Sequence, residues 1–143
     1  MVLPGWNVSE PVDLAWKLYH VVESLKSAPE EAKAFVAKIN AFSRSLNELQ
    51  NTLRNDIASR ASAQDLDHLR ITLEECQACV KRCEEFSERF EKLTKGGARG
   101  VAGASQATRW ALQDKKVDRL RKDIDSQMNG IGLTLTIRTL CVT

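Results

Sequence analysis

The sequence is short of every residue that breaks a helix. Seven glycines and three prolines occur in 143 residues, and all three prolines fall by Pro29, so residues 30–143 contain none. A sheet protein of this size needs many turns and draws on both residue types; long helices do not. No run of 18 apolar residues occurs, which excludes a constitutive membrane span. Met1 to Trp16 shows no basic leader followed by an apolar run, so it does not read as a signal peptide. Val2 stands where a myristoylation signal needs glycine. A cytoplasmic location is the expectation, and the sequon Asn7-Val8-Ser9 is then idle. The four cysteines are expected as reduced thiols. An excess of one charge is lacking too: 21 basic residues face 19 acidic ones, which argues against nucleic acid as a partner. The two histidines, His20 and His68, fall inside helical patterns with no nucleophile motif beside them. No catalytic residue, cofactor, metal or small-molecule substrate is assigned, and the chain is read as a non-enzyme.

What is present is helical periodicity, with 43% hydrophobic and 28% charged residues in a chain of single-domain length. After an irregular lead at 1–9, Ser9, Glu10 and Pro11 form a helix start. Leu14, Leu18, Val21 and Leu25 then repeat at helical spacing, which predicts helix 1 from Glu10 to Lys26. Ser27-Ala28-Pro29-Glu30 reads as a stop and a capping-box restart. Helix 2 carries Phe35, Ile39, Phe42, Leu46, Leu49 and Leu53 in alternating steps of four and three, a heptad seam. Ser62 and Asp65 signal helix 3, whose seam is Leu66, Leu69, Leu73, Cys76, Val80, Cys83, Phe90 and Leu93, with Phe86 covering the gap near Ser87. It ends at Lys95-Gly96-Gly97. Residues 96–104 form a Gly-rich connection, and helix 4 is expected from Ala104 or Ser105, with Trp110, Val117, Leu120, Ile124, Met128, Ile131 and Leu135 on its seam. A conflict sits at Ile131, Leu133, Leu135 and Ile137, which alternate as a strand would after Asn129-Gly130. A lone strand has no partner for its hydrogen bonds, so the segment is read as helix. The sum is an all-α, antiparallel up-down four-helix bundle with coiled-coil-like helices of roughly 45–55 Å and a shorter helix 1. That short helix leaves part of a groove to be filled by the N-terminal lead, the end of helix 4 or another molecule.

Several side-chain clusters admit two readings. Cys76, Cys79 and Cys83 share a helix face, and with Cys141 they could supply four metal ligands. They also fit as small core residues on the seam and its edge, which is the simpler reading. Gly96 to Gly100 lacks the Lys-Ser/Thr pair of a phosphate loop and reads as a connection. The basic residues Arg109, Lys115, Lys116, Arg119, Arg121 and Lys122 can pair with the acids of helix 3 (Glu74, Glu75, Glu84, Glu85, Glu88, Glu91), stay solvated, or meet anionic lipid headgroups. Near the N-terminus, Trp6, Trp16 and Tyr19 with Leu14, Leu18 and Val22 can serve as packing or as an interfacial contact surface.

Leu14-Ala15-Trp16-Lys17-Leu18-Tyr19, the restart Ser27-Ala28-Pro29-Glu30-Glu31, Arg109-Trp110 and Leu120-Arg121-Lys122-Asp123-Ile124 occur in an order that resembles the fungal N-terminal domain of STAND proteins. These are NLR-like receptors with a NACHT or related nucleotide-binding module, and the resemblance extends to the HeLo-like helical-bundle set. It implies a signalling or effector domain in programmed cell death and heterokaryon incompatibility, acting through self-association, with the N-terminal helix attacking membranes in some members. This sequence carries Asp13, Lys17 and Glu23 in helix 1 and holds no Walker-type motif. The partners so implied are other copies of the chain, other helical domains, and an anionic membrane surface. The rival reading is a constitutive coiled-coil scaffold.

Overall fold

A computed structural model of the chain describes residues 10–26, 28–52, 63–95 and 110–142. Among them the structure is helical, with no strand. The helices are α1 (Glu10–Ser24), α2 (Lys33–Thr52), α3 (Ala63–Lys95) and α4 (Asp114–Val142). At 1.5 Å per residue they run about 22, 30, 50 and 43 Å. The lead at 1–9, the capping residues Ser27 and Ser62, the seam residue Leu53 and the Gly-rich connection lie outside the described residues.

Helix 1 stops two residues short of the expected end, in a turn where the Leu25 N–H donates to the carbonyls of Val21 and Val22, at 3.1 Å in each case. Pro29, at φ −68°, opens a short 3-10 turn, Glu30–Ala32, that feeds directly into α2. Pro29 is itself the cap of that turn, extended at ψ 170° and without a side-chain cap hydrogen bond, so the restart is capped two residues later than the capping box predicted.

The heptad seams become the core. Phe35, Ile39, Phe42, Leu46 and Leu49 of α2 are buried, as are Leu69, Leu73, Cys76, Val80, Cys83 and Phe90 of α3. Phe86 and Ser87 are both buried, and the Ser87 hydroxyl donates to the Glu84 carbonyl at 2.9 Å, which satisfies it within its own helix. Trp110 opens a helical turn ahead of α4, with the Gln113 N–H donating to its carbonyl at 2.9 Å. Its indole closes one end of the core against Phe90 at 5.3 Å, Phe86 at 5.7 Å and Phe35 at 5.9 Å, mostly edge to face. α4 runs unbroken through Asn129-Gly130. The Thr134 hydroxyl donates to the Gly130 carbonyl at 3.0 Å and the Thr136 hydroxyl to the Gly132 carbonyl at 2.8 Å, so the alternating segment spends its hydroxyls on the helix backbone.

The helices meet as a ring. α1 packs on α2 and α3, and α4 packs on the same two helices, so α1 and α4 occupy opposite corners. Among the described residues, ion pairs to α2 and to α3 tie α4 in. Lys38 of α2 meets Asp125 at 2.6 Å, and Arg82 of α3 grips Asp123, its Nε donating at 2.8 Å.

Candidate interaction surface

α1 has apolar side chains on two faces. The inner stripe Leu14, Leu18, Val21 and Leu25 is buried. Leu14 and Leu18, for which packing and a contact surface were both open, belong to the core: their four-residue step faces α2 and α3. Val22 is half-buried and packs against the same core. Trp6 lies outside the described residues. The outer stripe is Val12, Trp16 and Tyr19, with 62% of Trp16 and 49% of Tyr19 exposed. The two rings stack at 5.2 Å with an interplanar angle of 7°. His20 stands edge-on to both, at 5.3 Å from Trp16 and 5.8 Å from Tyr19. Val12 and His20 were not among the sequence-predicted residues. Both stand one four-residue step from Trp16, on the face turned away from the buried stripe.

The rim of this face is ionic. Glu23 meets Lys26 at 2.7 Å, and that carboxylate raises the Lys26 pKa, chiefly through the hydrogen bond between them. On the flank toward α3 a groove of about 470 Å³ is lined by Asp13, Leu14, Lys17, Gln77, Val80, Lys81 and Glu84. It mixes two carboxylates and two ammonium groups over an apolar floor.

The basic stretch lies on α4. Lys115, Lys116, Arg119, Arg121 and Lys122 are all exposed, and Arg109 lies outside the described residues. Lys115, Arg119 and Lys122 follow one another by four and three residues and share one outward face; Lys116 and Arg121 flank it. Lys122 meets Asp118 one turn back at 3.2 Å. The described ion pair between α3 and α4 runs from a base on α3 to an acid on α4, the reverse of the polarity the sequence suggested.

Cys76, Cys79 and Cys83 are buried and form no disulfide, and the Cys141 side chain lies outside the described ones. Burial is the main cause that pushes Cys76 up to about 12, helped by Glu75 and Asp123. The Cys83 thiol, followed by burial, holds Cys79 further above the usual range. Cys79, expected at the seam's edge, is as enclosed as its neighbours. Among the described residues no cluster of three or more His, Cys, Asp or Glu has the arrangement of a metal site. No described helix is long and apolar enough to cross a membrane.

Comparison with protein-family models, with curated proteins and with solved structures finds no match for this chain.

Proposed function

We propose that this chain is a helical interaction module that associates with other copies of itself through the outward face of α1. The observation that carries the reading is the exposed Trp16–Tyr19 stack. Large aromatic rings left in water on a helix whose other face is already packed mark a contact surface. In this reading the bundle is antiparallel, up-down-up-down, with coiled-coil-like seams. Support comes from paired levels along α3 and α4: Phe90 with Trp110, Arg82 with Asp123, and Thr72 with Gly130. The effector role in regulated cell death in a fungal NLR-like protein rests on the sequence resemblance. Tethering by a receptor core would raise the local concentration of these faces and drive assembly.

Two observations favour this over the rivals. A constitutive coiled-coil scaffold needs an unspent heptad seam, and the described seams of α2 and α3 are consumed inside the chain. A membrane anchor that uses both the aromatic face and the basic stretch needs them on one side, and they sit on opposite corners of the ring.

The experiment is sedimentation velocity over a concentration series, with wild type and Trp16→Ala, joined by a dye-leakage assay on anionic liposomes. The expected result is a monomer at low concentration, reversible oligomers as concentration rises, and loss of those oligomers in the variant with helicity unchanged. A tight dimer at every dilution would return the scaffold reading. Leakage that needs Trp16, without self-association, would return the membrane reading.

A further inference from the structure

We infer that the partner of the α1 aromatic face is the basic outward face of α4 on a second copy, so that copies join head to tail. This deepens the self-association reading and rests on it.

The two faces match in spacing. On α1 the outward stripe is Val12, Trp16, Tyr19 and Glu23, in steps of four, three and four. On α4 it is Lys115, Arg119, Lys122 and Ser126, in the same steps, with exposed Leu133 further along the same face. Equal heptad-type steps let one helix lie along the other at a shallow crossing angle.

They also match in chemistry. Stacked indole and phenol rings present π-electron density, and the groups that bind such faces are guanidinium and ammonium ions. Laid antiparallel, the register sets Trp16 against Lys122, Tyr19 against Arg119, and Glu23 against Lys115. The intrachain pairs these residues already make, Glu23 with Lys26 and Lys122 with Asp118, lie at the surface, where such pairs hold little and exchange readily. A like-with-like antiparallel contact between two α1 faces would set Trp16 against Tyr19 and Glu23 against Val12, and this stripe would offer no cation to the rings or to the carboxylate.

The fold supplies the geometry. α1 and α4 occupy opposite corners of the ring and look outward in opposite directions. A copy can therefore give its aromatic face to one neighbour and its basic face to another at once. Such a heterologous contact does not saturate at two, and it grows into an open chain or closes as a larger ring.

The test uses two variants of the full chain. One removes the rings (Trp16→Ala with Tyr19→Ala); the other removes the bases (Lys115→Glu, Arg119→Glu and Lys122→Glu). Circular dichroism checks that both fold, since all five side chains are exposed. Sedimentation velocity is then run on wild type, on each variant alone and on an equal mixture. Wild type should form species larger than a dimer, and each variant alone should stay monomeric over at least a tenfold range of concentration. The mixture should stop at a dimer, because each variant keeps the one face the other lacks. If the base-free variant assembles like wild type while the ring-free one does not, α1 pairs with something other than α4 and this inference falls, with self-association intact. If wild type does not assemble at all, even fused to a dimerising scaffold, the parent reading falls with it. As a check on register, Glu23→Lys should weaken assembly, and Lys115→Glu added to it should restore it.

Discussion

Trp16 and Leu49 show how differently two apolar residues of similar periodicity are used. Leu49 is wholly buried on the α2 seam. Leu49→Asp would force a carboxylate into that core without a partner, and it should cost several kcal/mol, enough to lose the cooperative melt. Trp16→Ala removes a ring that water already touches, so the melting temperature should move little while assembly weakens. The sequence marked the buried stripe of α1 clearly, because three leucines and a valine at helical spacing have one obvious use. It could not say on its own that Trp16 and Tyr19 point away, since both lie within one turn of that stripe. The thiols give a pH prediction with a definite sign. Cys76 keeps its proton in the folded chain up to about 12, whereas an unfolded thiol loses it near 9.0. The raised value means stability is fully present below about pH 9 and is lost as pH climbs toward 12, at up to about 1.4 kcal/mol per pH unit for one thiol. Chemical denaturation at pH 8 and pH 10 should show that loss, and Cys76→Ala should make it smaller. An identical pH slope in the variant would move the effect to other groups.

At the scale of the element, α4 is the informative helix. Its second half alternates like a strand from Ile131 and contains two glycines, yet it is helical to Val142. Three physical terms decide this: the seam continues through Ile124 and Ile131 into the core, the threonine hydroxyls find carbonyls one turn back, and no second strand exists to pair with among the described residues. Glycine is then only a cost. A Cβ at Gly130 would meet the Thr72 methyl at 3.9 Å, an ordinary contact, and one at Gly132 would meet nothing within 4 Å. Gly130→Ala and Gly132→Ala should each stabilise the chain by about 0.5–1 kcal/mol, by restricting the unfolded state and improving helix propensity. Urea midpoints that fall would argue that this segment is not helical in solution. Helix number and the described seam residues were legible in the sequence because heptads report burial directly. Ends were less so: the 3-10 turn before α2 and the helical turn at Trp110 follow from local hydrogen bonds that no periodicity encodes.

Neighbour order belongs to the whole molecule, and periodicity does not reach it. A seam tells each helix to bury one stripe without naming the helix that covers it. Charge segregation suggested that α3 acids meet α4 bases; they are neighbours, but Arg82–Asp123 and Lys38–Asp125 hold α4 through its acids and leave its basic stripe facing outward. The ring also bears on how α1 works. The resemblance to HeLo-like domains implies a helix that leaves the bundle, whereas the exposed aromatic stripe needs no such release. α1 is anchored by Leu14, Leu18, Val21 and Leu25, and withdrawing it would return those side chains to water at about 1.5–3 kcal/mol each. A crosslink separates the two mechanisms. Ala15 of α1 and Ser43 of α2 are adjacent, the serine hydroxyl reaching the Ala15 carbonyl at 3.5 Å. Ala15→Cys with Ser43→Cys, in a Cys141→Ser background, should lock α1 to α2 when oxidised, with closure read from gel mobility. If the outward face acts in place, the locked chain assembles as the reduced one does, because Trp16, Tyr19 and Glu23 are untouched by the bond. If assembly disappears on oxidation and returns on reduction, α1 must leave the ring to act, and the stripe that matters is the buried one.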